Sequence, residues 1–200
     1  MYARVNIIFG EQDKVDAAIA HIEGEDRSLV EATSGNRGLA TLVDRSAGVV
    51  VAMSYWDEPL HSSEAALTQA REGAAAAAGG DLMVEGFELA DWERASAPAP
   101  GAAVRMIRVQ FEPTAVADGL GLLHDEVLAQ VAGAAGFCSA EVLIDRDSGA
   151  GVVVTTWADD DTARGADRAV ERLQNHAGER GATSPRTEAY ALVRTSARIG

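Results

Sequence analysis

The stretch Leu42-Val43-Asp44-Arg45-Ser46-Ala47-Gly48-Val49-Val50-Val51-Ala52-Met53-Ser54-Tyr55-Trp56 returns as Leu143-Ile144-Asp145-Arg146-Asp147-Ser148-Gly149-Ala150-Gly151-Val152-Val153-Val154-Thr155-Thr156-Trp157. Leu, Asp, Arg, Gly, Val and the closing Trp recur in place at a constant offset (143 − 42 = 101). Each copy reads as an apolar run, a short polar turn around a glycine, and a second apolar run. Two strands joined so closely form an antiparallel hairpin. Self-similarity at a fixed offset marks the chain as a duplicated unit.

The repeat extends outward. Gly35 falls on Gly136 at the same offset. With a slip of one or two residues, Val5, Ile7 and Phe9 match Ile107, Val109 and Phe111, and His21 matches His124. The same slip sets Asn6 against Arg108, and Glu85, Phe87 and Leu89 against Glu188, Tyr190 and Leu192. Alternating Ala and Pro around Ala97-Pro98-Ala99-Pro100 reads as a semi-extended connector. The predicted units are therefore residues 1–95 and 104–200, with a linker at 96–103.

Each unit has the order β-α-β-β-α-β. Strands are expected at 2–9, 38–44, 48–56 and 82–90, and near 104–111, 139–145, 150–157 and 187–194. Asp13 is placed as the N-cap of a first helix that Gly24 interrupts and Leu29-Val30 resumes. A second helix runs over 63–78 and stops at Gly79-Gly80. The second unit has helices near 114–133 and 161–180, the latter opened by Asp159-Asp160-Asp161. This order is the ferredoxin-like unit, with both helices on one face of a four-stranded antiparallel sheet. Two such sheets can cover each other's bare faces. The predicted fold class is α+β: two tandem ferredoxin-like units packed sheet to sheet as an intrachain pseudo-dimeric α/β barrel.

Composition narrows the function. Hydrophobic residues at 47% with 24% charged residues exclude wholesale disorder. A net charge of −14 disfavours nucleic acid and anionic membrane as partners. Cys138 is the single cysteine, so neither an intrachain disulfide nor a Cys-based zinc site forms, and it reads as a small buried hydrophobe. No run of about 20 apolar residues is present to span a bilayer. The N-terminal stretch lacks a signal-peptide core, so the cytoplasm is the expected address.

A unit of this length, with a third strand ending in Tyr55-Trp56-Asp57-Glu58 or Thr156-Trp157-Ala158-Asp159 ahead of the second helix, resembles the antibiotic biosynthesis monooxygenase family of the dimeric α/β-barrel superfamily. The resemblance covers nearly the whole chain, once per half. It implies a covalent version of the family's dimer, either a monomeric pseudo-dimer or a unit of a further homodimer. It also implies an apolar pocket for a small planar organic molecule. Members include cofactor-independent oxygenases of polycyclic phenols and quinols, and haem-degrading enzymes. The haem-degrading branch uses a strand asparagine, a helix tryptophan and a helix histidine. Asn6 matches the asparagine, but the helix tryptophan is missing from both halves and only His176 stands late in a second helix. The resemblance therefore implies no cofactor, and haem fits poorly.

The candidate catalytic residues are Asn6, His61 and Arg108. Asn6 is either a hydrogen-bond donor toward a substrate oxygen or an outward polar strand residue. Arg108 either holds an anionic oxygen or makes an inter-sheet ion pair. His61 stands in Pro59-Leu60-His61-Ser62-Ser63, a loop able to supply a base at a pocket mouth. The candidate pocket residues are Trp56, Trp157, Phe87 and Tyr190, for which core packing is the alternative. His21 and His124 are either general bases or helix-surface groups. No metal site is expected: no two histidines share metal-ligand spacing on one helix, and Asp159-Asp160-Asp161 reads as a cap. Gly119-Leu120-Gly121 follows a helix start and is no nucleotide loop. A non-catalytic tandem module that binds small ligands is the rival reading, weakened because Phe111-Glu112-Pro113 lacks the glycine of Phe9-Gly10-Glu11.

Overall fold

A computed structural model of the chain describes residues 1–59, 65–165, 167 and 186–199. The first half gives β1 (Tyr2–Phe9), α1 (Val15–His21), α2 (Arg27–Ala32), β2 (Asn36–Asp44), β3 (Val49–Trp56), α3 (Ala65–Ala78) and β4 (Asp81–Arg94). The second gives β5 (Ala103–Gln110), α4 (Val116–Leu122), α5 (Ala129–Ala132), β6 (Phe137–Ile144), β7 (Ala150–Trp157) and β8 (Arg186–Thr195). A further helix begins over 160–165, and the rest of the segment predicted helical to 180 lies outside the described residues. The fold is α+β, as the sequence predicts. The hydrogen-bonded strand order is β1-β3-β2-β8 in the first unit and β5-β7-β6-β4 in the second. Among the described residues no helix is long and apolar enough to cross a membrane.

Two compact units divide the chain: residues 1–86 with 191–200, and residues 87–190. In unit 1, β3 pairs antiparallel with β1 and β2, and Ala191–Thr195 of β8 pairs with β2. In unit 2, β7 pairs with β5 and β6, and the end of β4 from Glu88 to Arg94 pairs with β6. That pairing explains why β4 runs to Arg94, past the predicted end at 90. Both late strands bulge at one place, between Leu89 and Asp91 and opposite Thr41/Leu42.

Both hairpins close on an aspartate that accepts from a turn serine and from turn amides. Asp44 accepts hydrogen bonds from the Ser46 hydroxyl at 2.7 Å and the Ser46 and Ala47 amides at 2.9 and 3.1 Å. Asp145 accepts from the Ser148 hydroxyl at 2.5 Å and the Asp147 amide at 3.0 Å. The serine bonds hold both carboxyls below their ordinary value. Gly48 and Gly149, at φ 71° and 74°, take the left-handed position that closes each turn.

The first helix does not start as predicted. Asp13 sits inside a short 3-10 turn, Gln12–Lys14, and caps nothing. The helix then passes through a π-helical turn, Ile22–Asp26, in which Gly24 leaves helical geometry at φ −83°, ψ −126°. On α3 the alanine run places Ala74, Ala75 and Ala78 in the unit 1 core beside Ile8, Val15 and Val50. Small side chains bring this helix close: a Cβ on Gly10 would stand 2.6 Å from that of Ala78. In unit 2, Trp157 meets Phe137 edge-on with centroids 5.6 Å apart, in a core with Ile107, Val153 and Ala163.

Strand register corrects two repeat pairings. Tyr2 opposes Trp56 and Ala103 opposes Trp157, so Asn6 opposite Ala52 corresponds to Ile107 opposite Val153. Arg108 is one position off and belongs to the other strand face. Arg4 corresponds to Arg105. Likewise α1 and α4 begin at Val15 and Val116, so His21 corresponds to Leu122, not His124. The slip arises in β5, where Ala103 to Ile107 are all buried, so that apolar matching cannot select a face.

Candidate functional site

A cavity lies between the helices and the sheet of unit 1. Strand alternation points Arg4, Asn6 and Ile8 of β1 into it, beside Ala52, Ser54 and Trp56 of β3. The π-helical turn contributes Ile22 and Asp26, and α3 contributes Leu67, Ala70, Arg71 and Ala74. Its enclosed part measures roughly 50 Å³, within a wider opening of roughly 540 Å³ that includes open solvent. Its walls are mostly hydrocarbon, interrupted by two guanidinium groups, one carboxylate and one amide.

Asn6 defines the chemistry. Its Nδ2 donates to the Ala52 carbonyl at 3.3 Å. Its Oδ1 is buried and has no hydrogen-bond partner among the described residues. Buried acceptors are normally paired, and leaving one unmade costs about 1–3 kcal/mol. Asn6 thus brings an unmet acceptor to the cavity wall, where the sequence left open a donor toward a ligand or an outward polar strand residue. Trp56 keeps its ring against the cavity while Nε1 donates to Ser54 Oγ at 2.9 Å. Arg71 Nη2 donates to Thr68 Oγ1 at 2.8 Å, which fixes the guanidinium along α3. Asp26 Oδ2 lies 3.0 Å from His21 Nε2.

The other candidates are placed elsewhere. Arg108 Nε donates to Glu188 Oε1 at 3.1 Å, and Tyr190 donates its hydroxyl to Glu188 Oε2 at 3.0 Å. Phe87 is buried on β4, and neither it nor Tyr190 is among the described lining residues. Trp157 packs in the unit 2 core, its Nε1 donating to Thr155 Oγ1 at 3.0 Å. His61 lies outside the described residues. His124 is exposed and bonded to Asp91 at 2.6 Å, which raises its pKa above the usual 6.5. In unit 2, Arg105 is buried and paired with Asp160 at 2.7 Å, and this bond pulls the Asp160 carboxyl below its ordinary value. Asp159, next to it, accepts from the Thr162 amide at 2.8 Å and so caps the helix that follows.

Sequence reasoning missed Arg4, Asp26 and Arg71. Arg71 carried a usable signal: it falls within the 67, 70, 71, 74 stripe, otherwise apolar. Arg4 shares the face of Asn6. Nothing marked Asp26, because its direction depends on the π-helical turn.

Among the described lining residues there is no imidazole, thiolate or phenolate. The donor set does not fit a haem iron. No group of three His, Cys, Asp or Glu gathers to hold a metal among the described residues.

The fold is that of monooxygenase-like ferredoxin-fold proteins. A candidate monooxygenase of Lactobacillus acidophilus superposes with a TM-score of 0.72 over 98% of this chain and 95% of its own, at 11% identity. An anthrone oxidase-like protein gives 0.65 at 13% identity over 97% and 92%. A Listeria monocytogenes ferredoxin-fold protein related to antibiotic biosynthesis monooxygenases gives 0.55 at 11% identity over 94% and 93%. No protein-family profile matches the chain. Two uncharacterised proteins of Mycobacterium tuberculosis do match in sequence. One is 35% identical over 159 residues, 78% of this chain and 71% of the relative, and the other 30% over 186 residues, 91% and 79%. The chain belongs to the family of these mycobacterial proteins.

Proposed function

We propose that the chain is a tandem antibiotic biosynthesis monooxygenase-like protein whose unit 1 cavity binds a small planar aromatic bearing hydroxyl or carbonyl oxygens. The observation that carries this is the buried, unpartnered Asn6 Oδ1 in an apolar cavity. A phenolic O–H supplies the missing donor. Arg4 and Arg71 supply positive charge for an oxygen that becomes anionic, in a setting where such interactions are strong. Trp56 offers a ring face to a flat ligand. Unit 2 has a scaffolding role in this reading, since Ile107 stands where Asn6 does and belongs to a packed core.

The reaction that suits this site is cofactor-free oxygenation of an activated phenol, quinol or anthrone, in the cytoplasm. A base removes a proton and the carbanion reacts with dioxygen. For anthrone, the methylene carbon gains one oxygen atom as a carbonyl, and the second oxygen leaves as water with the two methylene hydrogens. Incubation with a hydroxyl-bearing anthrone and with a naphthoquinol, following dioxygen uptake and product mass, tests this. Uptake above the buffer rate that falls in Asn6→Leu supports it, and uptake at the buffer rate with both compounds rejects it.

A further inference from the structure

Resting on this reading of the cavity, we propose that Asp26 takes the proton from the bound molecule and that His21 positions it. Asp26 lines the cavity and its Oδ2 meets His21 Nε2 at 3.0 Å. The backbone is shaped for this contact. A π-helical turn occurs at the same place in both units, Ile22–Asp26 and Leu123–Leu128, but only in unit 1 does a glycine, Gly24, kink it, two residues ahead of Asp26. Across from them, α3 carries Gly73 where any Cβ would stand 2.5 Å from His21 Nε2. A larger residue there would evict the imidazole.

The two halves supply an internal control. Asp44 and Asp145, Gly48 and Gly149, and Trp56 and Trp157 recur at equivalent positions because the fold uses them. Asn6, His21 and Asp26 do not recur. Their equivalents are Ile107, Leu122 and Val127, all hydrocarbon. Three polar residues around one cavity change together, which ties them to a shared task and not to the unit's stability.

Arg4 from β1 and Arg71 from α3 line the same cavity as Asp26, and His21 from α1 meets its Oδ2 directly. With anthrone bound, a methylene C–H bond breaks and its proton passes to the Asp26 carboxylate. The electron pair delocalises onto the ring carbonyl as an enolate, next to guanidinium. Nothing is oxidised in this step.

Anthrone in heavy water under nitrogen isolates it. Deuterium entering the methylene group, followed by mass spectrometry, reports proton removal without dioxygen. Wild-type protein is expected to exchange faster than buffer, Asp26→Asn to lose about 100-fold of that rate, and Asp26→Glu to recover part of it. His21→Gln is expected to shift the pH of half-maximal exchange. Binding of anthraquinone, which has no methylene to exchange, read by tryptophan fluorescence, is expected to fall far less than exchange does in all three variants. Asp26→Asn exchanging at the wild-type rate overturns the proposal, as does a wild-type rate equal to buffer. So does loss of anthraquinone binding in step with exchange. Exchange that depends on Asp26 without dioxygen uptake would keep this proposal and reject the oxygenase reading.

Discussion

Arg27 is buried and clamps Glu23 in a two-pronged ion pair, Nε to Oε2 at 2.9 Å and Nη2 to Oε1 at 2.8 Å. The same guanidinium donates to Glu31 at 2.8 Å, to the Leu39 carbonyl at 3.1 Å, and to the hydroxyls of Thr41 and Ser196, each at 3.2 Å. Every donor direction is used, which Lys could not reproduce. The equivalent of Arg27 in unit 2 is Leu128, that of Thr41 is Val142 and that of Glu31 is Ala132. The fold thus solves one position twice, once with charge and once with hydrocarbon.

Removing one member of a buried ion pair strands the others. Arg27→Ala is expected to lower stability by about 3–5 kcal/mol in urea unfolding, because the carboxylates of Glu23 and Glu31 lose their counter-charge. The triple change Arg27→Leu, Thr41→Val, Glu31→Ala imports part of the unit 2 solution and is expected to recover part of the loss, Glu23 still lacking its counter-charge. A triple variant less stable than Arg27→Ala would refute the equivalence of the two positions.

Asn6→Ile should uncouple stability from binding. It removes an unpaired buried acceptor and installs the residue found at 107. A gain of about 1–2 kcal/mol is expected, together with loss of phenol binding. A destabilised Asn6→Ile variant would show that Oδ1 is satisfied in solution.

Trp157→Ala is expected to cost about 3–5 kcal/mol, since the ring is 1% exposed and packs against Phe137. Trp56 borders open space, so Trp56→Phe should change ligand affinity more than stability. Thermal melts with and without anthraquinone distinguish the two.

The pH response has two opposite arms. Burial raises the Glu31 pKa, but hydrogen bonds from Ser196 and Arg27 outweigh this and hold it below the usual 4.5. Its contribution is present above pH 4.5 and fades as pH falls through the lowered value. The His124 pKa is raised by Asp91, so its contribution is complete below pH 6.5 and fades as pH rises through the raised value. Glu31→Gln should flatten the acid side of a Tm-versus-pH curve, and His124→Gln the neutral side. Unchanged curves would remove both groups from the account.

Gly38 stands at φ 117°, where a Cβ would meet the Ser196 carbonyl oxygen at 2.4 Å. Gly38→Ala is expected to cost about 1–3 kcal/mol and to loosen the segment after β8. Hydrogen exchange at the Ser196 amide, which donates to the Leu39 carbonyl at 3.0 Å, reads that loosening directly.

Much of this was legible in the sequence. The hairpins around Gly48 and Gly149, the glycine break at Gly24 and the strand-ending tryptophans carry local signals that survive folding. The strand-face assignment was not legible, because β5 is buried on both faces from Ala103 to Ile107 and a shift of one residue left the apolar pattern intact. Asn6 was visible as a polar residue in a strand, but its role as acceptor depends on Nδ2 being taken by Ala52 across the sheet. Asp26 and Arg4 were invisible for a similar reason: their directions are set by backbone geometry that no short window encodes.

Strand β8 ends in unit 1, though it begins in unit 2. A fragment ending at the Ala/Pro connector would therefore lack the residues, Ala191 to Thr195, that cover the outer edge of β2. Its bare backbone amides would seek another strand, and a second copy's own β4 tail is the nearest substitute. Severing the polypeptide there should yield not a smaller monomer but a self-paired homodimer.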